Sequence, residues 1–202
     1  MKRFWSEFFR RYRADPLDAI SASVRFTVES ILRVFARLHT WKFGEFGKHS
    51  LLGRVRLLTN PSAIYIKSNV TIRDGARLEA IRYFNGSAYN PRLEIGDNTF
   101  IEHDVHIACA NDIRIGRNVL IASRVFICDH NHTLSPDVDH PLKTPLNVSD
   151  VSIGDGCWLG EGVVILSGVH LGPKTIVGAG AVVTKSFPAE SVLAGIPARK
   201  IN

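Results

Sequence analysis

Residues 153–183 read IGDGCWLGEGVVILSGVHLGPKTIVGAGAVV, and in them Ile153, Leu159, Ile165, Leu171, Val177 and Val183 recur at every sixth position. Glycine follows most of them at once (Gly154, Gly160, Gly172, Gly178), and a branched or small residue stands four places on (Val163, Val169, Ala181). A period of six matches neither the turn of an amphipathic helix nor plain strand alternation. It matches a chain wound as a three-sided prism, with a short strand on each face and a tight turn at each corner. The aliphatic side chain then points inward and stacks on its counterpart one coil later. A glycine beside it allows a backbone approach that a Cβ would block. One coil cannot bury its own inner face, so several have to stack.

The same period runs back through Ile115, Ile121 and Ile127, through Ile95, Ile101 and Ile107, and through Ile66, Ile72 and Leu78. Taken in threes, these positions predict a mainly β chain of about five coils. Two stretches break the period: EAIRYFNGSAYNPRLE at 79–94, with Asn85-Gly86 and Asn90-Pro91 as turn signals, and CDHNHTLSPDVDHPLKTPLNVSDVS at 128–152. The second carries His130, His132 and His140. A long loop on a rigid solenoid is where chemistry is expected, because the scaffold positions what the loop supplies.

Across 202 residues, 45% are hydrophobic and 22% charged, a globular composition that excludes disorder. Cys109, Cys128 and Cys157 are widely spaced and form no CxxC pair, which predicts a reducing, cytoplasmic setting without disulfides. No cleavable leader and no spanning segment is expected. The net charge of +6 is localised: residues 1–60 hold 12 Lys/Arg against 5 Asp/Glu, and the remainder holds 13 against 14. Ten of the eighteen aromatic residues lie between Phe4 and Phe46. These shifts divide the chain into a basic aromatic helical segment (1–46), the repeat region (47–188, with the loop at 128–150) and a tail (189–202).

In the first segment, Asp15-Pro16 reads as an N-cap and first helical position. Leu17, Ile20, Val24, Val28, Ile31, Phe35 and Leu38 then form an apolar stripe at helical spacing. The stripe suits a cap on the open end of a solenoid. The cations and aromatics of KRFWSEFFRRYR before it suit peripheral attachment to an anionic membrane face. No recognition motif accompanies the charge, so a nucleic-acid partner is not expected.

The repeat, the DHNH loop at 129–132, the segment IGDGCWLGEGVVILSGVHLG and the ending GAGAVVTKSFPAESVLAGIPARKI together resemble the hexapeptide-repeat acyltransferases. The similarity is to the branch of galactoside, maltose and polysaccharide O-acetyltransferases, and it covers roughly residues 60–202. It implies a left-handed parallel β-helix, a homotrimer with active sites between subunits, acetyl-CoA as acyl donor and a sugar hydroxyl as acceptor. The implied setting is a bacterial surface polysaccharide or its precursor. In that branch a catalytic histidine opens the loop five residues after the last regular aliphatic. Counted from Ile127 this is His132, with His130, two residues earlier, as the alternative. Thr133 stands where those enzymes carry proline. An imidazole can take the proton of an attacking hydroxyl and return it to a departing thiolate. Asp129 and Asp104 are candidates to orient the ring, and Cys157, four places after Ile153, is read as core.

The resemblance places acetyl-CoA contacts at Ala179, Thr184, Lys185 and Arg199, the cations suiting its phosphates. The family's contacting serine falls on Gly160 or Glu161, and Trp158 is a further candidate against the cofactor or a neighbouring subunit. Two other readings stay open: acetylation of an amine on an amino sugar, and a zinc site of the γ-class carbonic anhydrase kind drawing on His103, His106, His130 and His132. The ligand pair that such a zinc site needs is missing, and no metal is expected.

Overall fold

The computed structural model describes residues 40–133 and 139–202. The helix expected after Asp15 therefore lies outside the described residues up to its last positions, where Thr40–Lys42 forms a 3-10 turn. Among the described residues the fold is mainly β, with three parallel faces visited in rotation. The first face stacks Glu45–Phe46, Ile64–Ile66, Arg92–Ile95, Asp112–Ile115, Val151–Ile153 and His170–Leu171. The second stacks Leu51–Leu52, Thr71–Ile72, Phe100–Ile101, Leu120–Ile121, Trp158–Leu159, Ile176–Val177 and Val192–Ala194, with Arg199–Lys200 added antiparallel. The third stacks Leu57–Thr59, Arg77–Ala80, His106–Cys109, Phe126–Cys128, Val164–Ile165 and Val182–Val183.

Register follows the sixfold period. Ile66, Ile95, Ile115, Ile153 and Leu171 align down the first face, Ile72, Ile101, Ile121, Leu159 and Val177 down the second, and Leu78, Ile107, Ile127, Ile165 and Val183 down the third. All of these side chains are buried, and each contributes about 2 kcal/mol by leaving water. Val105, Val119, Val125, Val163, Val169 and Ala181 fill the corners between the rows, and Cys157 is buried among them.

A turn of strands, Glu45–Thr59, precedes those the repeat marks, with Phe46, Leu52 and Leu58 packed only partly against the core. These residues keep the six-residue step, but Ile66, the register partner of Phe46 on the first face, comes eight residues after Leu58, so the row that runs on from Ile66 is offset by two.

Two backbone constraints shape the corners. Consecutive coils are held by parallel ladder hydrogen bonds, which set adjacent strands about 4.8 Å apart. At the first-to-second corner a Cβ on Gly96 would lie 2.6 Å from the carbonyl carbon and oxygen of Gly116, and one on Gly154 would lie 2.5 Å from Pro173 N. The residue three before each inward aliphatic of the second and third faces turns through positive φ. This holds at Asn69, Asn98, Asn118, Gly156 and Lys174 on one corner, and at Gly75, Asp104, Arg124, Gly162 and Gly180 on the next. Asn, Asp and Gly tolerate that region best.

Replacing Gly96 with alanine should therefore lower stability by about 1–3 kcal/mol. The urea midpoint should fall at unchanged m-value, and an unaltered midpoint would refute the close approach.

Candidate active site

Both interruptions of the repeat leave from the same corner, between the third and first faces. Residues 81–91 depart after Arg77–Ala80 and return at Arg92–Ile95. The second loop departs after Phe126–Cys128 and returns at Val151–Ile153. The intervening coil crosses that corner by a tight turn, Ala110–Asn111, between His106–Cys109 and Asp112–Ile115.

The second loop is fastened to this tight turn at both ends. Asp129 is fully buried, and its carboxylate accepts the amides of Ala110 (2.8 Å) and Asn111 (2.7 Å). At the loop's far end Asp150 accepts the Asn111 side-chain amide. The Ser149 amide donates to the Asp129 carbonyl at 2.7 Å, closing the two ends on each other. Within the loop, His130–His132 pairs antiparallel with Leu146–Val148, setting His130 opposite Val148 and His132 opposite Leu146.

The two histidines have different surroundings. His130 is mostly enclosed, and its Nδ1 lies 3.0 Å from Asp129 Oδ1. With Asp129 ionised, that contact makes Nδ1 the donor and leaves Nε2 free to accept a proton. Burial pushes the Asp129 carboxyl upward, but the His130 imidazole and the Ala110 and Asn111 amides outweigh it and hold the acid below the usual carboxylate range. His132 is exposed, and its ring packs at 5.3 Å between centroids against Phe84 of the first excursion. Asp129 is thus the acidic neighbour of His130, and Asp104 instead faces Arg56 at 3.5 Å.

The residues expected at the cofactor are spread over the second face and the corners on either side of the third. Gly160, Glu161 and Gly162 form the second-to-third corner of one coil, and Gly178, Ala179 and Gly180 stack on them, joined by the Gly180 amide to the Glu161 carbonyl at 2.8 Å. A Cβ on Gly162 or Gly180 would meet nothing within 4 Å, so this corner leaves a smooth open edge. Gly160 itself is buried. Glu161 is exposed but ion-paired with Arg124. Thr184 and Lys185 follow Val182–Val183 of the third face and Arg199 pairs opposite Ala194 on the second; all three are exposed, with Lys185 5.6 Å over the Phe187 ring. Trp158, 49% exposed, stands in an outward row on the second face with Phe100, Leu120 and Ile176. An open corner of small residues has room for a thin pantetheine arm.

The histidines named for a zinc site are dispersed among other partners. His103 Nδ1 is 3.3 Å from the Asp74 carbonyl, and His106 Nε2 is 2.8 Å from Glu79 Oε1 but off the direction of a hydrogen bond. Burial, with Arg77 alongside, holds the His106 imidazole below its usual value against the opposing pull of Glu79. Among the described residues no three His, Cys, Asp or Glu side chains converge as metal ligands. All three cysteines are buried, and burial pushes each thiol upward, so none offers a ready thiolate.

Phe84, Tyr89 and Asn111 are site residues that sequence reasoning passed over. Tyr89 accepts the Leu146 amide at 2.7 Å through its hydroxyl. The one available signal was the Asn85-Gly86 hairpin dipeptide between aromatic residues, which marks a structured excursion rather than a slack corner.

Residues 150–185 match the bacterial transferase hexapeptide (six repeats) family. Over 153 residues, 72% of this chain and 74% of the relative, the sequence is 38% identical to WbbJ of Escherichia coli K12, a lipopolysaccharide biosynthesis O-acetyl transferase by name. It is 34% identical to the galactoside O-acetyltransferase of the same organism over 134 residues, 65% of this chain and 63% of that one. Among solved structures it is similar to AntD, an N-acyltransferase of Bacillus cereus, with a TM-score of 0.67 at 21% identity, covering 83% of this chain and 88% of that one. Period, parallel three-faced winding and the extended identity to WbbJ converge, and the chain belongs to the hexapeptide-repeat O-acetyltransferase family.

Proposed function

We propose that this acyltransferase moves an acetyl group from acetyl-CoA to a sugar hydroxyl of a bacterial surface polysaccharide or its precursor, with His132 as general base. The acceptor class is supported by the extended identity to WbbJ, named for lipopolysaccharide biosynthesis. One observation carries the division of roles: both ends of the histidine loop are bonded to a single tight corner of the solenoid, so its imidazoles are held on a rigid frame. The proposal includes a left-handed winding and a homotrimer. The exposed apolar row of Leu120, Trp158 and Ile176 is the kind of surface that a second copy covers.

The bound thioester supplies an acyl carbon open to attack and a sulfur able to leave. His132 accepts the acceptor's hydroxyl proton at a ring nitrogen while the oxygen bonds to the acyl carbon. As the carbon–sulfur bond breaks, the same nitrogen returns the proton to sulfur, leaving an ester and a free thiol. Ala179, Thr184, Lys185 and Arg199 would hold the donor, Trp158 and the Glu161 backbone would line it, and buried Gly160 would shape the corner behind it. Asp129 acts as a positioning residue: it fixes the His130 tautomer and the start of the loop. With the thiols held protonated, no cysteine acyl-enzyme is needed, and attack is direct.

A panel of sugar and amino-sugar acceptors, scored by acetyl-CoA-dependent release of free thiol, tests the reading; a response confined to amines would replace it with N-acetylation. His132→Ala should reduce thiol release about 10²–10⁴-fold with coenzyme A affinity unchanged by calorimetry. Full turnover in that variant would transfer the base role to His130.

Asp129→Asn should cost about 1–3 kcal/mol, because the buried amides lose a charged acceptor. The folded-state carboxyl lies below its unfolded value near 3.9, so its contribution is present above that pH and fades as pH falls through the folded value. The melting-temperature gap between wild type and variant should stay constant from about pH 5 to 8 and narrow below about pH 4. A gap that closes near neutrality would contradict this.

We also propose that the basic aromatic segment attaches the enzyme to an anionic membrane face. Deleting residues 1–13 should abolish co-flotation with anionic liposomes, and undiminished flotation would remove the idea.

A further inference from the structure

The excursion at 81–91 is built as a small rigid element. Tyr83–Phe84 pairs antiparallel with Ser87–Ala88 through Asn85-Gly86, both at positive φ (44° and 78°), the backbone of a two-residue hairpin turn. The Tyr89 amide donates to the Arg82 carbonyl at 2.9 Å across its base, and Arg82 Nη2 donates to Ser62 Oγ at 3.1 Å, tying the hairpin to the coil below. Successive strand residues point to opposite sides. Tyr83 is accordingly 69% exposed, and Phe84 turns inward onto the His132 ring, the two planes inclined at 57°. One further contact reaches the same place: the Tyr89 hydroxyl bonds the backbone of Leu146, the cross-strand partner of His132.

We propose that Phe84 is a positioning residue for the acyl-transfer reaction, holding the His132 imidazole in the rotamer from which it takes the acceptor's proton. This inference rests on the reading of His132 as base. An exposed imidazole has several staggered rotamers open to it. The Phe84 ring favours one of them, while Tyr89 keeps the strand opposite His132 at a fixed height. The hairpin is therefore a brace on the histidine loop, reaching past the intervening tight coil to hold it.

The test uses the full chain with acetyl-CoA and methyl β-galactoside as probe acceptor, comparing wild type with Phe84→Ala, Phe84→Leu and Phe84→Tyr. In the Ala and Leu variants kcat should fall about three- to tenfold at unchanged KM, the scale of one aromatic contact, and Phe84→Tyr should retain most of the wild-type rate. Recovery by leucine would mean that only volume matters. A raised KM at unchanged kcat would make Phe84 an acceptor-binding wall. Wild-type kinetics in the alanine variant would dismiss any role, and each of these outcomes overturns the proposal.

A second readout does not depend on turnover. Carbethoxylation of His132 by diethyl pyrocarbonate, followed by peptide mass spectrometry, should be about threefold or more faster in the Ala and Leu variants than in wild type, with thermal unfolding of the coils unchanged. An unchanged labelling rate overturns the inference even if no acceptor is turned over. Faster labelling in a protein that releases no thiol supports the contact and places the failure with the transferase reading.

Discussion

The spacing of adjacent coils governs this molecule. A parallel ladder holds each strand about 4.8 Å from the next, so every inward side chain meets its counterpart one coil away, and only residues that stack on copies of themselves are accepted there. Branched aliphatics satisfy this on all three faces from Ile66 to Val183. The same spacing brings backbones at the first-to-second corner close enough that Gly96, Gly116 and Gly154 leave no room for a Cβ. Period, glycine placement and left-handed turn residues are consequences of one distance.

That distance explains what could be read without coordinates. The inward rows are legible because stacking forces a regular sequence pattern, and the loop at 128–152 is legible as a loss of it. The leading turn of strands falls mostly within the 47–188 repeat region but shows no marked row, because Phe46, Leu52 and Leu58 are only partly buried and the row restarts at Ile66 with an offset of two. The left-handed positions three before each aliphatic went unremarked because Asn, Asp, Arg, Lys and Gly all occupy them. The site was less legible than the frame. His130 and His132 stand out in the loop, yet nothing local says that Asp129 turns inward to grip Ala110 and Asn111, because those partners become neighbours only after a full coil.

The third-to-first corner assigns work by alternation. Two coils open there into excursions, and the coil between them stays tight. The tight turn at Ala110–Asn111 is the anchor, and it is rigid because its strands are paired above and below. Asp129 and Asp150 fasten one excursion to it, and the other leans across it through Phe84 and Tyr89. Imidazoles on a loop thereby acquire the positional definition of a solenoid, which the proposed transfer of a proton from an attacking hydroxyl would require.

The anchoring also separates two demands on the chain. The proposed acyl-donor site calls for a smooth corner of small residues, and the stacked turns Gly160–Gly162 and Gly178–Gly180 offer one without departing from the repeat. Choosing an acceptor calls for irregular shape, which a repeat cannot provide without losing the stacking that buries its core. The irregularity is confined to one corner and fastened to an unbroken turn, so the inward rows on either side, Leu78 to Ile107 and Ile127 to Ile165, remain in register. Under the proposed function, changes in residues 81–91 or in the loop would reshape the acceptor's surroundings while the strands that present them stay where the coil spacing puts them.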